Sequence, residues 1–411
     1  MAWGYRITEG RESYRFGLNL RRSDTITARY DDQPLFSSKG HGRVYTRFRE
    51  YVGRVGGGDQ LKASPAFDFV ATGVGSVPFS DVDDICAHIM KTFPDMPFWP
   101  QFVKRSYLED MLVQASEGLP FVEVNYKERA LALRTTDNPE SELIPFYEHF
   151  LATDTDYFAI SEERAIGLYT ILDLLEKNPD LNGRFIKGQI VGPITLGGSL
   201  RGERGKSALY DGEIMSAIVK GLAIKALWLI EKMAVSGRVP VLFVDEPSLS
   251  GFGSAFTAMR REEVIRFIGE IVDYLRSKSD AVIGIHCCGN TDWSMIIETG
   301  VDIVNFDAFD YMDYFLLYRD EIIRFLEGGG TVAWGVVPTT SFTGKETVSD
   351  LKAQLEKGLD RLFEWGIKRN RATQRSIITP ACGLGTLEPY KAEKVLELLA
   401  SISNIVFEAA L

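Results

Sequence analysis

The sequence predicts an α/β fold, namely a (β/α)8 TIM barrel with an N-terminal extension. Short apolar runs alternate with longer segments of helical period, which is the pattern of parallel strands joined by helices. Polar and reactive residues follow the runs, at the carboxyl ends where a TIM barrel carries its active site. No phosphate-binding fingerprint follows the first run, so a doubly wound open sheet is the less favoured alternative. The eight predicted strands lie at residues 67–76, 121–124, 185–192, 239–246, 281–288, 301–307, 331–337 and 376–379.

Amphipathic segments separate these runs. The clearest ones cover residues 214–234, 261–277, 348–365 and 389–402. Each is longer than a strand and repeats its apolar residues with a helical period, as expected of a helix that packs one face on a sheet. The aromatic segment 98–101 is interpreted as packing that caps the barrel, with a floor for a flat cofactor as the alternative.

Residues 1–66 differ from the rest because they concentrate arginine in an otherwise acidic chain. Alternating residues at 5–8 and 14–20 predict a β-hairpin, and residues 43–55 predict a short helix before a glycine-rich linker. We therefore predict an extension at 1–66 and a catalytic barrel at 67–411. A solvated arm that packs on the barrel is the favoured interpretation of the extension. A surface for an acidic partner or a polyanionic substrate tail is the alternative.

Composition narrows the class of protein. The 411 residues are 45% hydrophobic and 25% charged, which is typical of soluble globular proteins, and the formal net charge is -11. An acidic chain lacks the basic surface that nucleic-acid binding needs, so no nucleic-acid partner is expected. No apolar stretch approaches about 20 residues and the start carries no signal peptide, so no membrane span is expected. Four cysteines are too few for a disulfide framework and indicate a reduced, cytoplasmic protein.

A histidine and three cysteines follow two of the predicted strands. Side chains alternate along a strand, so His286 and Cys288 point to one face and Cys287 to the other. Cys382 follows another apolar run at a second glycine-rich turn. Buried cysteines and a hydrogen-bonded core histidine are the structural alternative. Two strand ends that each deliver a soft ligand favour a metal site.

Five motifs that occur in order resemble a known family. They are Gly-Val-Gly-Ser-Val-Pro at 73–78, Val-Gly-Pro-Ile-Thr at 191–195, Val-Asp-Glu-Pro-Ser-Leu at 244–249, His-x-Cys at 286–288 and Pro-Ala-Cys-Gly-Leu at 380–384. Together they resemble the catalytic domain of cobalamin-independent methionine synthase, within the superfamily that includes uroporphyrinogen decarboxylase. The His286 segment also resembles the zinc motif of corrinoid-dependent methyltransferases that load coenzyme M. The resemblance covers residues 67–411.

The resemblance implies a zinc ion held by His286, Cys288 and Cys382. Asp307 takes the place of a glutamate that is the fourth protein ligand in the synthases, and its side chain is one methylene shorter. By the same resemblance Asp245 receives the amino group of homocysteine and acts as the catalytic carboxylate. The other residues assigned to substrate binding are Gly75, Ser76 and Glu246.

The implied chemistry is methyl transfer to a small thiol, most readily homocysteine. Zn²⁺ removes the proton of a bound thiol and so makes it a nucleophile. A methylcorrinoid or methyltetrahydrofolate could donate the methyl group. The large N-terminal half of the folate-using synthase has no counterpart in this sequence, which favours a corrinoid donor and a corrinoid protein as partner.

Three other functions remain as alternatives. A related methyltransferase could use a coenzyme M-like thiol as acceptor. A metal-free decarboxylase of the uroporphyrinogen type would leave His286, Cys288 and Cys382 without a common role. A corrinoid-binding or zinc-storage protein would have a closed site of four protein ligands.

Overall fold

The computed structural model describes residues 65–202, 205–253 and 259–410, together with the backbone of four strands between residues 2 and 39. These four strands form an antiparallel sheet in chain order. The first two pair with each other, which confirms the predicted hairpin. The predicted helix at 43–55 and the linker after it lie outside the described residues. The four strands are β1 (Ala2–Glu9), β2 (Glu12–Leu20), β3 (Thr25–Tyr30) and β4 (Gln33–Lys39).

A curled parallel sheet of seven strands forms the core of the catalytic region, in the order β5-β13-β12-β11-β10-β9-β8. This is an α/β fold of the TIM-barrel type, although the ladder of strands is open between β5 and β8. The remaining strands, β6 and β7, pair with each other as a separate antiparallel sheet. The strands are β5 (Val70–Ala71), β6 (Val122–Asn125), β7 (Ala130–Leu133), β8 (Phe185–Val191), β9 (Val239–Asp245), β10 (Val282–Cys287), β11 (Ile303–Phe306), β12 (Thr331–Val337) and β13 (Ser376–Pro380).

Seven of the eight predicted strands are confirmed in the parallel sheet, and the second is a strand that lies outside this sheet. The run at 121–124 forms β6, which is antiparallel to β7. Its side chains alternate between half-buried and exposed, which is the pattern of a sheet with one solvated face. By contrast, every residue of β8, β10, β11, β12 and β13 is buried.

The segment 95–101 lies where the second strand was expected. On one side the N–H of Lys187 donates to Pro97 O at 2.9 Å, and the N–H of Trp99 donates to Lys187 O at 3.2 Å. On the other side the N–H of Gln101 donates to Gly75 O at 3.1 Å. The segment contains Pro97 and Pro100, which have no N–H to donate, so it forms only isolated bridges to its neighbours. Its aromatic residues are buried, as the packing interpretation predicted.

Helices follow most strands and end in recognisable caps. At the start of the longest one, Asp211 accepts hydrogen bonds from the N–H groups of Glu213 and Ile214. The four predicted helices are confirmed as α6, α7, α11 and α13 below. No described helix is both long enough and apolar enough to cross a membrane. The helices are α1 (Val82–Thr92), α2 (Met111–Ser116), α3 (Glu140–Ala152), α4 (Ile166–Lys177), α5 (Pro193–Ser199), α6 (Gly212–Ala234), α7 (Arg261–Arg276), α8 (Trp293–Glu298), α9 (Met312–Phe315), α10 (Arg319–Glu327), α11 (Val348–Glu364), α12 (Arg369–Gln374) and α13 (Pro389–Ala410).

The chain divides into two compact units. One consists of Met1–Gly58 and Thr136–Asp154, and the other of Asp59–Thr135 and Thr155–Leu411. The larger unit contains the parallel sheet and every residue assigned to the site. The boundary at residue 66 between an extension and a barrel stays a prediction.

Inside the sheet, an apolar layer is followed by a polar layer toward the carboxyl ends of the strands. A strand returns a side chain to the same face every second residue, so Phe243 is followed by Asp245 and Ile303 by Asn305. His286 belongs to the same polar layer, which is buried. The apolar layer consists of Phe67, Val70, Met96, Phe185, Val241, Phe243, Val282, Ile303, Ala333 and Ile377.

Candidate metal centre

Three predicted ligands come together at the carboxyl ends of the strands. His286 is in β10, Cys288 follows the end of that strand, and Cys382 follows β13. One ligand atom from each, the imidazole nitrogen and the two sulfurs, lies within 4.8 Å of the others. Two strands that β11 and β12 separate in the sheet therefore deliver one cluster of soft donors.

The donor set fits zinc. Zinc bonds of about 2.3 Å to sulfur and about 2.0 Å to nitrogen place donors of a tetrahedral site roughly 3.5–3.8 Å apart. The cluster is close to that size. His286 is 3% exposed, and its Nε2 has no hydrogen-bond partner among the described residues other than the adjacent sulfur of Cys288. A buried nitrogen without a partner is costly unless a ligand satisfies it.

The register of the sheet places His286 between two polar residues. Its Cα pairs with that of Asp245 in β9 and with that of Asn305 in β11. The Nδ1 atom of His286 lies 2.6 Å from Oδ1 of Asn305, and both side chains are buried. The ring is thus held through Nδ1, which leaves Nε2 for another partner.

The two thiols of the cluster, Cys288 and Cys382, differ in pKa. The pKa of Cys288 lies well below its usual value because Cys382 donates a hydrogen bond to it and His286 lies nearby, and these effects outweigh burial. The pKa of Cys382 is raised because it donates that hydrogen bond and is buried. Cys288 is therefore the first of the pair to become a thiolate. Cys287 is buried on the other face, and burial raises its pKa to about 12.

Asp245 lies beside this cluster with a free oxygen. Its side chain is 6% exposed, and Oδ1 has no hydrogen-bond partner in the described part of the chain. Burial raises its pKa to about 6, although Lys187 and His286 oppose this. An oxygen of this kind can accept a hydrogen bond from a bound cation such as a substrate amine.

Glu246 follows Asp245 but its carboxylate faces the start of α5. Oε1 accepts a hydrogen bond from the N–H of Ile194 at 2.8 Å. Oε2 accepts from the N–H and the hydroxyl of Thr195, at 2.8 and 2.6 Å. Burial raises the pKa of Glu246 to about 7 in spite of these bonds. The geometry gives Glu246 the task of holding α5; its contact with substrate stays a prediction.

Asp307 is not part of the cluster of three ligands. Its Oδ1 accepts hydrogen bonds from the N–H groups of Phe309 and Asp310, both at 2.9 Å. Burial raises its pKa to about 6, and the nearby Cys288 also contributes to this rise. The carboxylate therefore lies near the thiols while one oxygen is bound to its own loop. Its role as the fourth ligand stays a prediction.

The loop of Gly75 and Ser76 is tightly packed. A Cβ added to Gly75 would lie 2.8 Å from Cδ of Gln189 and 3.0 Å from Oε1 of Gln101, so only glycine fits. Ser76 Oγ accepts a hydrogen bond from the N–H of Gly385 at 3.3 Å, in the loop that carries Cys382. The loop predicted to bind a carboxylate thus lies against a loop that supplies a thiol.

Sequence reasoning missed two buried polar residues of the site, Lys187 and Asn305. Lys187 is fully buried, and its ammonium donates hydrogen bonds to Val74 O and to Oε1 of Gln189, at 2.9 Å for the latter. Burial lowers its pKa to about 8, which Asp245 opposes. Each residue is a polar residue inside an apolar run, on the face that carries the site. A polar side chain inside an apolar run was the signal in the sequence that could have identified both residues.

Comparisons with known proteins agree with the motifs. No protein-family model matches the chain. A methionine synthase from Methanocaldococcus jannaschii is 28% identical over 211 residues, which is 51% of this chain and 60% of that protein. The chain thus matches less than two thirds of the length of this relative.

A solved structure shares the fold. A B12-independent methionine synthase from Shewanella sp. W3-18-1, in complex with selenomethionine, aligns with 83% of this chain and 98% of its own, at a TM-score of 0.51 and 13% identity. A methyltransferase from Methanosarcina mazei aligns with 83% of this chain and 96% of its own, at a TM-score of 0.47 and 12% identity. The chain is thus similar in sequence to a methionine synthase, and it shares its fold with a B12-independent methionine synthase.

Proposed function

We propose that the protein is a zinc-dependent methyltransferase that moves a methyl group to a small thiol, with homocysteine as the thiol. The observation that carries the proposal is the cluster of His286, Cys288 and Cys382, whose ligand atoms lie within 4.8 Å of one another. Its sequence relative is a methionine synthase, which supports the same reaction class.

In this proposal, His286, Cys288 and Cys382 hold the zinc ion and leave room for a substrate. Bound zinc would supply the Lewis acidity that removes the proton of a small thiol at neutral pH. Asp245 accepts the substrate amine through its free Oδ1, and the loop of Gly75 and Ser76 binds the carboxylate. These contacts hold the sulfur in line with the methyl group of the donor.

The transfer itself needs no further protein base. The substrate sulfur forms its new bond to carbon with its own electron pair, and the donor keeps the pair of the bond that breaks. Burial of Asp245 and His286 keeps water away from the nucleophile. Asp307 would be the fourth protein residue to hold the zinc ion.

The methyl donor is proposed to be a methylcorrinoid, brought by a corrinoid protein, with methyltetrahydrofolate as the alternative. The cytoplasm is the proposed location, because all four cysteines are free and two of them serve as ligands only when reduced. We also infer that segment 95–101 acts as the second strand of a complete (β/α)8 barrel, since it bridges β8 and the loop after β5.

A methyl-transfer assay with defined donors and acceptors tests the proposal. Zinc-loaded protein is incubated with methylcobalamin or methyltetrahydrofolate, and with homocysteine or 2-mercaptoethanesulfonate. We expect methionine to form, and we expect the Cys382→Ser variant to lose at least roughly 100-fold in rate, because an incomplete ligand set holds zinc poorly. Methylation of 2-mercaptoethanesulfonate alone would identify the coenzyme M-like alternative. No methylation of either thiol with any donor would overturn the proposal.

A further inference from the structure

We propose that Asn305 is the positioning residue that fixes the imidazole of His286 in one tautomer, with a bare Nε2 facing the two thiols. The inference rests on the proposed zinc site and adds a residue that the motifs do not contain. Asn305 lies in the middle of β11, one strand away from His286. It touches the ligand and not the metal, so its effect would be indirect.

The first step concerns the contact between the two side chains. Asn305 is completely buried and His286 nearly so. Their closest atoms, Oδ1 and Nδ1, are 2.6 Å apart. A hydrogen bond of this length between buried groups needs one donor and one acceptor, and either ring nitrogen of a neutral histidine can carry the proton. The orientation of the amide therefore decides the tautomer.

The second step fixes that orientation. The other end of the amide lies 2.9 Å from the backbone oxygen of Ala333 and 2.8 Å from Oγ1 of Thr379. A carbonyl oxygen only accepts hydrogen bonds, so the amide nitrogen must be the end that faces Ala333. The oxygen of Asn305 must then face His286, where it can only accept. The proton consequently lies on Nδ1.

The third step concerns what is left for the metal. With its proton on Nδ1, the ring has a lone pair on Nε2, which is the form of histidine that binds metals. Nε2 has no hydrogen-bond partner in the described regions other than the adjacent sulfur of Cys288, itself one of the proposed ligands. Partners that hold the second nitrogen of a ligating histidine reduce the freedom of the ring and raise metal affinity. Asn305 would thus prepare the ligand before zinc arrives.

An amide differs from a carboxylate at this position in its charge. Asp245 already lies on the other side of His286, and two thiols lie close to it. Asn305 accepts the N–H bond without adding another negative charge to a buried cluster. His286 therefore needs a hydrogen-bond acceptor at position 305 and not a negative charge. Substitution of Asn305 tests this directly.

Three variants separate the acceptor from mere packing. Asn305→Asp keeps an acceptor, and Asn305→Leu removes it at similar size. Thr72→Val is the control for a lost polar group, because Thr72 is fully buried near the same sheet edge and its hydroxyl has no hydrogen-bond partner among described residues. We expect Asn305→Leu to bind zinc roughly 10- to 100-fold more weakly than wild type in competition with a chromophoric chelator. We expect Thr72→Val to stay within about threefold of wild type. We expect Asn305→Asp to bind zinc more tightly than Asn305→Leu, because it keeps the acceptor for His286 although it loses the donor that faces Ala333.

A second readout needs no metal. Long-range 1H–15N correlation NMR on the metal-free full chain, with 15N-labelled histidine, reports which nitrogen of His286 carries the proton. We expect Nδ1–H in wild type and in Asn305→Asp. A wild-type ring protonated on Nε2 alone, or equal zinc affinity in Asn305→Leu and wild type, would overturn the inference. Wild-type protein that binds no zinc would instead overturn the proposed function, while the tautomer would still decide the role of Asn305.

Discussion

Ser76 and Gly383 lie against each other in the loops that follow the neighbouring strands β5 and β13. A Cβ on Gly383 would overlap the hydroxyl oxygen of Ser76. The N–H of Leu384 donates to Ser76 O at 2.8 Å, so the contact continues along the backbone. The loop predicted to bind the substrate carboxylate is therefore fastened to the loop that carries Cys382. Substrate and metal would be positioned by one shared contact.

This contact predicts a coupling between the two positions. Gly383→Ala should lower the free energy of unfolding by about 1–3 kcal/mol, because the new methyl group displaces the hydroxyl of Ser76. The same substitution should cost much less in a Ser76→Ala background, where that oxygen is absent. Chemical denaturation of the four proteins in a double-mutant cycle measures the coupling. Gly212→Ala is the control, since an added Cβ there meets nothing within 4 Å. Equal costs in both backgrounds would contradict the contact.

Substitution of Asp245 should weaken the binding of substrates that carry an amine and leave other thiols little affected. Asp245→Asn should raise KM for homocysteine with a smaller change in kcat, because a neutral amide attracts the substrate ammonium less than a carboxylate does. An acceptor without an amine, such as 3-mercaptopropionate, serves as the matched control and should be affected little. Equal losses with both thiols would contradict the assignment.

The pH dependence follows from the same residue. Burial raises the pKa of Asp245 to about 6. Protonation of the carboxyl removes its attraction for the ammonium, so KM for homocysteine should rise as the pH falls through the pKa that Asp245 has in the zinc-loaded protein. Initial rates measured across this range on wild type and Asp245→Asn would check it. The variant should lack the rise.

Substitution of Glu246 should lower the stability of the folded protein. Its carboxylate accepts three hydrogen bonds from Ile194 and Thr195. Glu246→Gln would turn an NH₂ group toward one of these donors, which should lower the free energy of unfolding by about 1–3 kcal/mol. Denaturant unfolding measures this, with the exposed Glu262→Gln as control. An unchanged midpoint in Glu246→Gln would show that α5 does not depend on these bonds.

Lys225 should make the free energy of unfolding depend on pH, independently of catalysis. It is fully buried in α6, where its ammonium donates to Phe158 O at 2.8 Å and burial lowers its pKa to about 7. Between that value and the ordinary 10.5, the unfolded chain binds a proton that the folded chain has lost. Stability should therefore rise with pH in this window, by about 1.4 kcal/mol per pH unit relative to Lys225→Met.

The measurement is the free energy of unfolding of wild type and Lys225→Met at about pH 7.5 and about pH 9.5. Subtraction of the variant removes the effects of other titrating groups. A difference that stays constant between the two pH values would mean that Lys225 keeps its proton inside the folded protein.

Much of the fold could be predicted because fully buried strands appear as continuous apolar runs. The exception has a physical cause. The segment 95–101 carries Pro97 and Pro100, so it lacks the donors and the β-branched residues by which strands are recognised. The run at 121–124 looked more like a strand, and it is one, but it pairs with β7 outside the parallel sheet.

The site was predictable only where chemistry shows in a motif. His286, Cys288 and Cys382 are rare residue types at strand ends, and the structure brings them together. Lys187 and Asn305 act through neighbours elsewhere in the fold, such as Val74 in the loop after β5 and Thr379 in β13. Such contacts depend on the register of the sheet, which the sequence of one strand does not contain.

The most direct test of the central claim is the zinc content of the freshly purified chain. Elemental analysis is combined with X-ray absorption spectroscopy, with and without homocysteine, on wild type and Cys382→Ser. The account predicts one zinc per chain, lost in Cys382→Ser, and one additional sulfur ligand when homocysteine is added. Wild-type protein that contains no zinc and takes up none from solution would contradict it.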